Sequence, residues 1–129
     1  MYDIIRQKDG GDRMEKTEKE IDEAIEAFQK KFALRLSRLR TLRKVSAREM
    51  SLALGQSNGY INNIETGGAF PSLKTFYNIC EYLHVSPQEF FEEENDDPER
   101  LRGLIEDLKK LDSTQLKMIS DIVKSIQKK

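Results

Sequence analysis

Ser46 with Glu49, Ser86 with Glu89, and Asp112 with Gln115 each set a short polar residue three positions ahead of Glu or Gln, at the head of an apolar-periodic stretch. In such a pair the first side chain accepts an amide of the new first turn, while the second reaches back to the cap amide. Two donors that a helix start leaves orphaned are thereby satisfied together, so each pair is a start signal for a helix. Ser57 and Ser72 read as simpler caps of the same kind. Gly55 and the pair Gly67-Gly68 supply the left-handed conformation that ends a helix without steric cost. No stretch alternates apolar and polar residues as a half-buried strand does. The chain is therefore expected to be all-α and built from short, individually capped helices.

Residues 1–13, with Gly10, Gly11 and scattered charges, carry no period and read as a flexible start. From 14 to 44 there is neither Pro nor Gly. Ile21, Ile25, Phe28, Phe32, Leu36 and Leu39 recur there at spacings of three or four, which fits one long helix or two abutting ones. A second helix runs from Ser46 to about Leu54, with Val45 and Met50 as its hydrophobic staple. A short third helix, capped by Ser57, covers 57–66 and buries Ile61 and Ile64. The fourth follows Pro71-Ser72 and lays down Leu73, Phe76, Ile79, Cys80 and Leu83 as one stripe. The fifth spans 87–91, with Pro87 at its first position. The acidic run 92–97 reads as a linker. Beyond it, Leu101, Leu104, Ile105, Leu108 and Leu111, then Leu116, Ile119, Ile122, Val123 and Ile126, form two amphipathic stripes of a helical hairpin. Two helices of that length need a partner surface to be stable in water.

Length and composition exclude much. At 129 residues the chain holds one compact domain with extensions. No apolar run reaches the length of a membrane span and no signal peptide precedes the first helix, so a cytoplasmic protein is expected. The single Cys80 forms no internal disulfide. With a single His84 there is no zinc set either, although an all-carboxylate cation site is not excluded by composition. No Ser or Cys has a base partner other than that one His, which reads as a helix C-terminal residue whose ring favours the negative end of the dipole. The glycine pairs lack the spacing of nucleotide-binding turns. Neither an enzyme nor a cofactor is indicated.

The net charge of −1 conceals an uneven distribution. Residues 31–91 carry eight basic and four acidic side chains, against six and nine in 1–30 and eight and ten in 92–129. Seven of those eight cations, Lys31, Arg35, Arg38, Arg40, Arg43, Lys44 and Arg48, lie within eighteen positions. A patch of that density is of the kind that meets phosphate, although taken alone it reads first as a solvated helix face.

The order of elements from Phe32-Ala-Leu-Arg-Leu-Ser-Arg-Leu-Arg through Ser46-Ala-Arg-Glu-Met-Ser-Leu-Ala-Leu-Gly55 and Ser57-Asn-Gly-Tyr-Ile-Asn-Asn-Ile-Glu-Thr-Gly67 to Pro71-Ser-Leu and Val85-Ser-Pro resembles the phage repressor and Cro type of helix-turn-helix regulator, the XRE family. The likeness covers about residues 31–91. It implies a five-helix, lambda-repressor-like DNA-binding domain, here with an N-terminal helical extension and a C-terminal helical hairpin. It also implies that the third helix enters the major groove, which is wide enough to admit one. Asn58, Gly59, Asn62 and Asn63 then face outward. Asn is a poor helix former but both donates to and accepts from adenine, so Asn58, Asn62 and Asn63 are the expected base readers. Arg43, Lys44, Ser46, Arg48, Ser57 and Tyr60 are the expected phosphate contacts, helped by free amides at the starts of the second and fourth helices. By the same resemblance Arg40 reaches Glu65 in a structural ion pair. Two positions depart from the family: Ala47 stands where Gln is frequent, and Gly68-Ala69-Phe70 where Lys or Arg is frequent, so two phosphate contacts are missing.

The expected division is thus 1–30 as flexible start and N-terminal helix, 31–91 as the DNA-binding domain, 92–97 as linker and 98–129 as hairpin. A domain with so few base-reading side chains needs two-fold pairing for affinity. The hairpin is the expected dimer element through Leu101, Leu104, Ile105, Leu108, Leu116, Ile119 and Val123. Double-stranded DNA and a second copy are the expected partners, and repression the expected outcome, with no effector legible. The other reading of the scaffold is a protein-interaction module, such as the antitoxin half of a toxin pair.

Overall fold

The computed structural model describes residues 16–128, which contain helices and no strand. The segment 1–13 read as a flexible start lies outside the described residues. Helix α1 (Glu18–Leu42) is a single unbroken helix that passes through residues 30 and 31. Its start is a capping box at a position from which no helix start was expected: Thr17 accepts the Glu20 N–H at 3.1 Å, and Glu20 accepts the Thr17 N–H at 2.9 Å. Helices α2 (Ala47–Ala53), α3 (Tyr60–Glu65), α4 (Leu73–Leu83) and α5 (Pro87–Phe90) follow. Ser46, Ser72 and Ser86 each accept the amide three residues on, as their spacing predicts. Gly55 and Gly67 have φ of +74° and +83°, so the turns after α2 and α3 use the conformation expected of them.

Of the described residues, those up to Glu93 form one compact unit, and those from Glu94 onward form a second. In the first, Phe32, Leu36 and Leu39 of α1 pack with Met50 of α2, Ile61 and Ile64 of α3, and Phe76, Ile79, Cys80 and Leu83 of α4. Burying each side chain of this size contributes roughly 1.5–3 kcal/mol, which is what holds helices of four to seven residues that would not persist in isolation. All six phenylalanines of the chain, Phe28, Phe32, Phe70, Phe76, Phe90 and Phe91, join one cluster with ring centroids 4.9 to 6.2 Å apart. Cys80 lies in this core, and burial, with a smaller push from Glu81, raises its thiol pKa to about 11.

Two polar anchors join the helices. Arg35 is buried and its guanidinium donates to the carbonyls of Glu89 and Phe90, binding the end of α5 to α1. Ser51, also buried, donates to the Ala47 carbonyl at 2.7 Å and accepts the Ile61 N–H at 2.9 Å. That second bond explains a departure from the sequence expectation. Ser57 does not cap the third helix: residues 57–60 form a turn closed by Tyr60 N–H to Ser57 carbonyl, and α3 starts at Tyr60 after Gly59, with no local side-chain cap. The orphan amide that a local cap would satisfy is taken by Ser51 from the preceding helix instead.

In the second unit, α6 (Pro98–Leu108) is capped by Asp97 and α7 (Ser113–Gln127) by the Asp112 and Gln115 box. The apolar side chains of α7 are all exposed, and α6 leaves Leu101, Leu104 and Ile105 exposed as well.

Candidate nucleic-acid interface

Helix α2, the glycine turn and α3 form a rigid bihelical unit in which each helix fixes the other. Below it, Arg40 near the end of α1 makes two parallel bonds to Glu65 at the end of α3, Nε to Oε2 at 2.7 Å and Nη2 to Oε1 at 2.9 Å. A third bond runs from Nη1 to the Val45 carbonyl at 2.8 Å, just ahead of α2. The two side chains are only 18% and 11% exposed. Charge-assisted bidentate pairing in such surroundings sets orientation as well as adding stability. The hydrogen bonds to Glu65 push the Arg40 pKa up, against the opposing effect of burial. One guanidinium thus ties together α1, the start of α2 and the end of α3.

With its inner side fixed by Ile61, Ile64 and Glu65, α3 presents Asn62 and Asn63 to solvent, and Asn58 is exposed in the preceding turn rather than on the helix. The Asn63 side chain bends back toward the turn that follows α3. A Cβ added to Gly68 would lie 2.1 Å from its Oδ1, and Gly68 N–H donates to its carbonyl at 2.8 Å. Gly68, which departs from the family's basic residue, is therefore what leaves space for the Asn63 amide.

The basic patch divides by role. Arg35 and Arg40 are spent on internal carbonyls and, as the resemblance implies for Arg40, on Glu65, whereas Lys31 is exposed and lies 4.0 Å from Glu93. Arg43 caps α1 with its Nη1 3.0 Å from His84 Nδ1. Lys44 is exposed at φ +60°, a left-handed position unusual for a residue with a Cβ. Arg48 is exposed on α2. Ser46 uses its hydroxyl for capping, Ser57 is exposed in the turn, and Tyr60 at the start of α3 is half-buried against the core. His84 is the left-handed C-cap of α4. Ser51 carried no sequence signal, because its partner amide lies ten residues away in a different helix. Among the described residues no cluster of His, Cys, Asp and Glu could hold a metal ion, and no helix is long and apolar enough to cross a membrane.

A capped helix, a glycine turn and a second helix with exposed amide side chains, rimmed by cations and locked from behind by an ion pair, define a DNA-binding helix-turn-helix domain. Residues 36–90 match the model of the family described as Helix-turn-helix. Residues 36–90 are thus a helix-turn-helix domain of the phage repressor and Cro (XRE) type. No curated protein and no solved structure matches the chain.

Proposed function

We propose that the chain is a cytoplasmic transcriptional repressor that binds operator DNA as a homodimer, placing α3 of each copy in the major groove. The observation that carries the base-reading role is the pair of solvent-facing asparagines on a six-residue helix whose other side is fully committed to the core. Three asparagines in and before so short a helix cost stability that packing alone does not reward. Asn58, Asn62 and Asn63 read base edges, where a bidentate amide contact to adenine discriminates by about 1–3 kcal/mol. Arg43, Lys44, Ser46, Arg48, Ser57 and Tyr60 hold phosphates around them and set the register. The segment 98–129 pairs the two copies through Leu101, Leu104, Ile105, Leu108, Leu116, Ile119 and Val123, whose exposure or half-exposure supports a role in association. Bound across two half-sites about 34 Å apart, such a dimer blocks access to the duplex beneath it.

The exposed apolar residues of α6 and α7 also favour a second reading, in which the same scaffold serves mainly to bind another protein. Selection of bound sequences from a random duplex pool separates the two. A two-fold site with half-sites one helical turn apart is expected. Recovery of an unenriched pool would overturn the operator-binding reading and leave the partner-binding one.

A further inference from the structure

The first half of α1 extends a stripe of apolar side chains that the core does not cover. Ile21, Ile25 and Phe28 fall within about 60° of the helix circumference at 100° per residue. Phe28 continues into Phe70 and Phe91, with ring centroids 5.9 and 6.0 Å away. Phe28, Phe70 and Phe91 are 49%, 41% and 47% exposed. Along one flank run Glu18, Asp22 and Glu26, spaced four apart, and none of them is ion-paired with a described residue. Like charges at that spacing disfavour the helix that bears them. An acidic row kept beside an uncovered apolar stripe is matched by a helix that is apolar on one side and cationic along the edge.

The chain contains such a helix. In α7, Leu116, Ile119, Val123 and Ile126 form a stripe with no buried member. Lys117, Lys124 and Lys128 lie along one side of it, with Asp121 the single acid among them, bonded to Lys117 at 3.1 Å. We propose that the Ile21, Ile25 and Phe28 stripe of one copy receives α7 of a second copy. A two-fold axis then lets each copy give one helix and accept one. The proposal rests on the homodimer reading above and names the surface on which the pairing element lands. About nine half-exposed apolar side chains on each chain take on the order of 300–500 Å² out of water. At the usual apolar share of about 60%, that corresponds to an interface approaching the roughly 800 Å² per partner of a stable complex.

Charge exchange in the full-length chain tests this. One variant carries Glu18→Lys, Asp22→Lys and Glu26→Lys; the other carries Lys117→Glu, Lys124→Glu and Lys128→Glu. Sedimentation should show the wild type as a dimer and each variant alone dissociating at least tenfold more readily. An equimolar mixture of the two should recover the dimer, since each of its two contacts then pairs an acidic face with a basic one. Recovery also shows that both variants fold. Phe28→Glu, whose side chain is not part of the buried core, should weaken the wild-type dimer by a similar factor. A wild-type monomer, a dimer unaffected by reversal on α1, or a mixture that stays monomeric would each overturn the proposal. Binding of mixed-sequence duplex at low salt, measured on the same samples, reports the DNA-binding reading separately, because α2, α3 and their cations are untouched.

Discussion

The hydroxyl of Ser51 accepts the amide of Ile61 at 2.9 Å while donating to the carbonyl of Ala47 at 2.7 Å, so α2 supplies the missing cap of the helix that follows it. A single buried oxygen thus bonds both helices of the motif, beside the packing of Met50 with Ile61 and Ile64. Replacing it by Ala leaves a buried amide without an acceptor, which costs about 1–3 kcal/mol. For a unit of this size Ser51→Ala should lower the melting temperature by roughly 4–8 °C for each kcal/mol lost, as followed by circular dichroism. A shift of less than a degree would mean that water replaces the hydroxyl and that the bond does not set the geometry.

Asn62→Ala should lower affinity for the selected site by about 1–3 kcal/mol, relax preference at one base position, and leave thermal stability nearly unchanged. Asn63 is expected to respond twice, once to its own replacement and once to Gly68→Ala, because the added methyl would occupy the place of its side-chain oxygen. Competition binding with single-base variants of the site checks both. Equal losses on specific and non-specific duplex would remove these residues from the reading role.

Lys44 pairs a charge with a strained backbone, and Lys44→Gly separates the two. The glycine relieves the left-handed conformation at φ +60°, so stability should hold or rise by up to about 1 kcal/mol. Binding to all sequences should weaken, with the salt slope falling by about one. Urea unfolding and a salt titration give the two answers independently; an unchanged slope would take Lys44 off the phosphate surface.

Cys80 offers a pH signature. Its folded thiol titrates near 11, above the 9.0 of the unfolded chain, because burial disfavours the thiolate. Between those values the unfolded state binds fewer protons than the folded one, so stability is fully present below about pH 9 and declines as pH rises toward 11. Denaturant midpoints measured from pH 8 to 11 should fall more steeply for the wild type than for Cys80→Ala. Parallel curves would show that the thiol ionises equally in both states.

Much of the fold could be read from local chemistry. Ser46, Ser72, Ser86 and Asp112 lie where their partners three residues on require, and Gly55 and Gly67 take the left-handed turns. These signals span few residues and do not depend on the rest of the chain. What stayed hidden depends on distance. Ser57 resembled a cap in sequence, but the competing acceptor for α3 is Ser51, ten residues upstream. Arg35 looked like one more cation of a surface patch. Its commitment to the carbonyls of Glu89 and Phe90, more than fifty residues away, follows only from how α5 packs. The Arg40 and Glu65 pair was legible through a family resemblance and not from spacing, since the two residues lie 25 positions apart. The bent-back placement of Asn63 is set by the turn at Gly68, which no helical periodicity registers.

The central claim is that this domain reads DNA sequence through α3. Equilibrium binding of the full chain to its selected duplex and to a scrambled duplex, across a series of salt concentrations, tests it most directly. The account predicts a steep loss of affinity with salt on both duplexes and a preference for the selected one of at least about 10³-fold at physiological salt. Equal affinity for the two duplexes, or no binding to either at low salt, would contradict it.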